Sequence, residues 1–342
     1  MIGDRELDRG AAQLLHECLG VTERDVLLIL TDAETAGLAD RIAAVGRSIT
    51  RSVIEVLPSL NLDYGRAYAR IEQVVQTLRP SVVVFAARDD EDLLAWDPRY
   101  WDLLSEIGAR NAQMPALDAH ALGVGMGMDY RDVARFTELV TARLTGAQEV
   151  AITNALGTDI TFRCDPARPW TPFTGRYLSK GEGGRLPQGE TFCSPVEATG
   201  RIAASVLGYP FNASTGLLVD PVIFEIRDSR LISLDHPDPD LAERLRQWFT
   251  RDPDAGRIGE LALGTNLGCT TISGNLLFDE NVPGCHIALG HPFGELTGAC
   301  WSSGVHVDLV VDRPTIRVDN QVILESGDYI LSHLTHTKGT PA

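Results

Sequence analysis

Asp25-Val26-Leu27-Leu28-Ile29-Leu30-Thr31-Asp32 is an apolar run closed by aspartates at both ends. A strand covered on both faces has no reason to alternate polar with apolar residues, so the run reads as a buried strand. The segment after it, Glu34 to Ser48, carries Leu38, Ile42 and Val45 at three- and four-residue spacing, which is the signature of a helix with one apolar face. The pattern then repeats. Ser52-Val53-Ile54-Glu55-Val56-Leu57-Pro58 predicts a second strand. A helix is expected from about Tyr64 to Leu78, with Ala67, Ile71, Val74 and Val75 on one face, and Ser81-Val82-Val83-Val84-Phe85-Ala86-Ala87 predicts a third strand. Strands apolar throughout and separated by amphipathic helices imply a parallel sheet covered on both sides, Rossmann-like in outline. The turn Thr31-Asp32-Ala33-Glu34-Thr35-Ala36-Gly37 has no GxGxxG, so no dinucleotide is inferred.

Residues 91 to 145 read as mostly helical, broken at Gly123-Val124-Gly125-Met126-Gly127-Met128, which is expected to be a loop between helices. The helix through Arg135 to Leu144 ends at Thr145-Gly146, and a domain boundary is placed there. Beyond it the chain becomes strand-rich. Glu149 to Asn154 and Asp159 to Arg163 form a hairpin signal around Leu156-Gly157-Thr158. A polar glycine-rich stretch, 179–185, leads into Leu186-Pro187-Gln188-Gly189-Glu190. The expected organisation is an α/β N-terminal domain with a parallel sheet, 1–146, and a strand-rich α+β domain, 147–342, that carries the chemistry.

A chain of 342 residues exceeds what one core usually serves. Its 44% hydrophobic and 23% charged residues are ordinary for a globular protein, and no run reaches the roughly 18 apolar residues of a membrane span. A formal net charge of −17 argues against nucleic acid or an anionic membrane as partner, since both demand basic surface. A small molecule or peptide is the expected substrate. The start, Met1 to Asp8, lacks a basic segment and apolar core of signal type, so a cytoplasmic location is expected. Six scattered cysteines without a CxxC pair predict no disulfides. Cys285 abuts His286 but faces the opposite side of a strand.

Five of the eight histidines lie beyond residue 285. In Gly304-Val305-His306-Val307-Asp308-Leu309-Val310-Val311 the residues alternate, so His306 and Asp308 project together from one face while the valines and leucine pack behind. Cys285-His286-Ile287-Ala288-Leu289-Gly290 delivers another imidazole. Ile258-Gly259-Glu260-Leu261-Ala262-Leu263 places a lone carboxylate in an apolar strand, where it is costly to bury unless it pairs or binds a cation. Imidazole with carboxylate suits zinc, manganese, iron or cobalt.

In order, the chain reads Gly157-Thr158-Asp159, Leu186-Pro187-x-Gly189-Glu190-x-Phe192-x-x-Pro195, Gly259-Glu260-Leu261-x-Leu263-Gly264-Thr265-Asn266, Asp279-Glu280, His286-Ile287-Ala288-Leu289-Gly290 and His306-x-Asp308-Leu309. Over about 145 to 325 this resembles the thermophilic-type metallo-aminopeptidases, a family of dinuclear, cytoplasmic leucyl aminopeptidases. The resemblance implies two divalent ions (zinc, cobalt, manganese or magnesium) held by Glu190, Glu260, His286, His306 and Asp308, with Glu260 or Asp308 bridging. It also implies a homodimer and a small peptide or amide substrate. Glu280 or Glu295 is expected to move the proton to the departing amine. The family places a tyrosine where this chain has Phe293, so either His291 or Glu295 takes over its role or the reaction differs. His291, His333 and His336 are otherwise expected as surface or supporting residues. The alternative is a mononuclear non-haem iron ring-cleaving dioxygenase, resembling dihydroxypyridine dioxygenase, in which His306 and Asp308 share one iron with a histidine that falls where this chain has Glu260.

Overall fold

The computed structural model describes residues 2–334. The chain divides into two compact units, one made of Met1–Ala134 with Thr174–Gln188 and the other of Arg135–Phe173 with Gly189–Ala342.

In the first unit five parallel strands stand side by side in the order Arg51–Val56, Val26–Thr31, Val82–Phe85, Arg110–Gln113 and Gly183–Arg185. The three strands expected from the apolar runs form, and Leu27 to Leu30 and Val82 to Val84 are fully buried. Each such side chain contributes about 1.5–3 kcal/mol by leaving water. The helix Ala36–Arg47 covers the sheet with Ala39, Ile42 and Ala43, and the helix Tyr64–Leu78 does so with Ala67, Ile71 and Val75. Asp63 starts the latter by accepting the Arg66 N–H. The other two strands break the expectation. Arg110–Gln113 lies where helix was expected, because its polar Asn111 and Gln113 are buried rather than exposed. The polar stretch expected only as a lead-in supplies Gly183–Arg185, pairing beside it. The glycine break at 123–128 is in part a π-helical turn, Ala121–Gly125. After the first strand Asp32 accepts hydrogen bonds from Glu34 N, Thr35 N and Arg88 N, so a carboxylate stands where a dinucleotide fold presents glycines.

The second unit is built on antiparallel strands. Among the described residues they run in the order Asp328–Tyr329, Gln321–Glu325, Thr315–Val318, Glu149–Thr153, Asp159–Arg163, Glu197–Leu207, His306–Val311, Gly284–Gly290, Ile258–Gly264, Glu190–Cys193 and Thr171–Phe173. Leu217–Arg227 branches off Glu197–Leu207 and pairs with Arg230–Asp235. The hairpin expected around Leu156-Gly157-Thr158 forms, with Val150 opposite Phe162. One face of the central strands is a continuous core. Leu261, Leu263, Cys285, Ile287, Leu289, Val307, Leu309 and Val311 pack there against Leu241 and Leu245 of the helix Pro239–Trp248. The other face carries the polar residues. No helix among the described residues is long and apolar enough to cross a membrane.

Candidate metal centre

Four neighbouring strands bring the five expected ligands onto one face. Glu190 stands opposite Gly264, His286 opposite Ala262 and Val310, Asp308 opposite Ala288, and His306 opposite Gly290. Glu260 pairs with Ala288 from the other side. Apart from Val310, the residues paired with the ligands are alanine and glycine. Large side chains at 262 or 288 would fill the space into which the carboxylates and imidazoles converge.

Glu260 reaches this face through a bulge. Ile258 pairs with Leu289 but Glu260 pairs with Ala288, so Gly259 is the extra residue. Without it, Ile258 and Glu260 would share a face; with it, Ile258 joins the core while Glu260 turns to the polar side. A Cβ at Gly259 would run into the Gly290 carbonyl oxygen and lie 2.8 Å from that of His291. The broken apolar alternation at Gly259-Glu260-Leu261 was the signal available in the sequence.

The side chains form two groups that share Glu260. Glu190, Glu260 and His286 make one, and Glu260, His306 and Asp308 the other, each with ligand atoms within 4.8 Å of one another. His286 Nε2 lies 3.3 Å from Glu190 and 3.7 Å from Glu260 Oε1. His306 Nε2 lies 3.2 Å from Asp308 and 3.7 Å from Glu260 Oε2. Glu260 therefore offers one oxygen to each side. The exposures are 6% for Glu190, 4% for Glu260, 3% for His286 and 7% for Asp308, so these charges are largely out of water.

Burial alone pulls the His286 imidazole down. The nearby carboxylates of Glu260, Glu190 and Asp308 outweigh that and lift it to about 10. His306, likewise opposed by burial, is lifted to about 9 by Asp308 and Glu260. His306 Nδ1 donates to the His291 carbonyl at 3.0 Å, which fixes the ring with Nε2 toward the carboxylates. His286 Nδ1 is buried without a hydrogen-bond partner. Three carboxylates crowded with two imidazoles fit a site that takes divalent cations, which would compensate the buried negative charge.

The remaining expected residues sit around this cluster. Glu280 is 7% exposed and follows the helix Leu276–Asp279, and the 281–282 backbone packs against Gly264, on the Glu190 side. Glu295 is exposed in the first turn of Gly294–Thr297. Phe293 precedes that turn with φ 48°, its ring edge-on to His306 at 4.8 Å between centroids and 6.1 Å from Phe192, which in turn meets Phe173 at 4.9 Å. This aromatic border was not anticipated, because Phe173 and Phe192 sit on strands whose pairing the sequence does not reveal. Burial and the neighbouring His306 hold the His291 ring below its ordinary value. His333 hydrogen-bonds the Val322 carbonyl. His336 lies outside the described residues. All six cysteines are free, and Cys285 is buried on the core face, its thiol pushed up by burial.

Two solved structures are similar over nearly their whole length. One is 2,5-dihydroxypyridine dioxygenase from Pseudomonas putida KT2440, with a TM-score of 0.68 and 16% identity, covering 98% of this chain and 100% of that one. The other is wild-type AmpT from Thermus thermophilus, with a TM-score of 0.70 and 15% identity, covering 95% and 99%. At such identities the likeness is one of fold. No curated protein matches. The family profile of the thermophilic metalloproteases (M29) matches residues 129–328, more than half of the chain and the stretch that holds all five clustered residues, and the chain belongs to that family.

Proposed function

We propose that this protein is a dinuclear metal-dependent hydrolase of aminopeptidase type, cleaving an amide bond next to a free amine in a small peptide or amide. The sharing of Glu260 between two ligand groups carries this reading. Glu190 and His286 would hold one divalent ion, His306 and Asp308 the other, and Glu260 would bridge them. Zinc, cobalt, manganese or magnesium bound here supplies Lewis acidity toward the scissile carbonyl and lowers the pKa of water.

The protein's own part is to position and to move protons. The His291 carbonyl holds the His306 ring in place. Phe192 and Phe293 line the edge of the cluster with apolar surface that excludes water. A carboxylate outside the ligand set delivers a proton to the departing nitrogen. Glu280, which follows the helix Leu276–Asp279, or Glu295, in the turn after Phe293, would take this part. Homodimer formation and a cytoplasmic location belong to the same proposal, supported by the family likeness.

Elemental analysis of gently purified protein tests it. Wild type should carry about two divalent ions per chain and Glu190→Ala about one. Glu260→Gln should weaken both and abolish turnover of aminoacyl amides while the protein stays folded. Full activity in Glu260→Gln would sink the proposal. The second reading, a single-iron ring-cleaving dioxygenase, is favoured by the fold shared with the Pseudomonas enzyme over 98% of this chain. One iron indifferent to Glu190→Ala, with oxygen uptake on a dihydroxylated aromatic, would select it.

A further inference from the structure

The segment from Gly290 to Thr297 has a feature that the ligand set does not use. His291 is fixed at three atoms. Its backbone N–H donates to the Val305 carbonyl at 2.6 Å, its carbonyl accepts the His306 Nδ1 hydrogen at 3.0 Å, and its own Nδ1 accepts the Phe293 N–H at 3.1 Å. An imidazole nitrogen that accepts an N–H presents its lone pair, so the ring is uncharged and its hydrogen is on Nε2. The ring packs edge-on to Phe293 at 5.0 Å, and Phe293 packs on His306 at 4.8 Å. The imidazole is thus one aromatic ring away from a proposed ligand, on a segment hydrogen-bonded to that ligand.

A carbonyl under attack gathers negative charge on oxygen, and a neutral donor aimed at that oxygen stabilises the charge without repelling the ions beside it. The clustered side chains are three carboxylates and two imidazoles taken up as ligands, and Phe293 contributes only carbon. We propose that His291, through Nε2–H, is the hydrogen-bond donor to the substrate's carbonyl oxygen, making it a catalytic residue of the hydrolase proposed above, on which this inference rests. The Phe293 N–H sets the tautomer that makes this possible.

Two substitutions separate the two ring nitrogens. His291→Asn keeps an acceptor for the Phe293 N–H but lacks the distal donor. His291→Gln keeps an N–H near the Nε2 position. Neither touches the His291 backbone carbonyl that orients His306. The probe is the phosphonic acid analogue of leucine, whose tetrahedral oxygens imitate the attacked carbonyl, titrated calorimetrically into zinc-loaded protein, with turnover of leucine amide measured alongside.

His291→Asn should retain its metal content, weaken phosphonate binding at least tenfold and lower kcat by about 10²–10³-fold with little change in KM, the range found for loss of one oxyanion donor. His291→Gln should recover part of both losses. In metal-free protein with ¹⁵N-labelled histidine, the His291 resonances should show a protonated Nε2 and an unprotonated Nδ1. Wild-type phosphonate affinity in His291→Asn, or an Nδ1–H tautomer, overturns the role of His291 alone. A wild-type protein that holds zinc yet neither binds the phosphonate nor turns over the amide overturns the hydrolase reading, and this inference with it.

Discussion

Loading the metal-free protein with divalent ions should expel about two protons at neutral pH. The two imidazoles that would become ligands are held charged by the carboxylates around them, His286 up to about 10 and His306 to about 9. A metal ion binds only the neutral ring. At about 1.4 kcal/mol per pH unit, discharging His286 at pH 7 costs about 4 kcal/mol and His306 about 3 kcal/mol. That opposition is smaller than the roughly 10–16 kcal/mol released by a tight structural zinc site, so ions still bind, with an affinity that rises with pH. Each ion's apparent association constant should increase about tenfold per pH unit between pH 6 and 8, one proton leaving with each. Calorimetric titration at pH 7 in buffers of different ionisation enthalpy reads the proton number as the slope of observed enthalpy against buffer enthalpy. The slope should be near two for wild type and near one for His306→Ala. A slope near zero in wild type refutes the reasoning, because the imidazoles would then already be neutral beside three carboxylates.

The same charges act on stability in the metal-free protein. Both folded-state values lie above the ordinary histidine value, so their contribution is complete below about pH 6.5 and is lost as pH rises through 9 to 10. The metal-free Tm should therefore fall between pH 7 and 10, and a flat or rising Tm over that range contradicts the electrostatics. Ala288→Leu puts three extra carbons between Glu260 and Asp308 at a fully buried position. It should lower stability by about 1–3 kcal/mol and strip bound metal, and unchanged metal content by elemental analysis would show that the ligands do not converge over Ala288. Gly259→Ala forces a methyl against the Gly290 carbonyl. Denaturant unfolding should show a loss of about 1–3 kcal/mol, together with weaker metal binding as Glu260 swings away. Wild-type behaviour in both measurements would argue against the bulge.

The pair of proposed ligands nearest in sequence was the easiest to see. His306 and Asp308 sit two apart on a strand, and strand geometry alone puts them on one face. The three buried strands of the first unit were legible for a similar reason, since an unbroken run such as Leu27 to Leu30 has little use outside a covered sheet. Arg110–Gln113 and Gly183–Arg185 were not, because short parallel strands can bury polar side chains that look exposed in sequence. Gln113, for example, is buried while hydrogen-bonded to the Tyr100 hydroxyl. Nor could periodicity say that Glu190 would lie beside Glu260. That neighbourhood depends on which strands pair, and pairing between distant segments leaves no local trace. The resemblance supplied those ligands instead. Ala262 and Ala288 passed as ordinary apolar residues, and only the register shows that their smallness makes the space.

The spread of the proposed ligands over four strands also sets a timetable for synthesis. Glu190 is made first and Asp308 last, 118 residues later by their positions in the chain. At about 5–20 residues per second, roughly 6–24 s pass on the ribosome before a complete ligand set exists. During that interval the carboxylates of Glu190 and Glu260 can meet ions only as loose, partial sites. On the proposed reading an ion would be selected only after the strand His306–Val311 has paired with Gly284–Gly290, when a finished sheet rather than a growing chain would dictate coordination number.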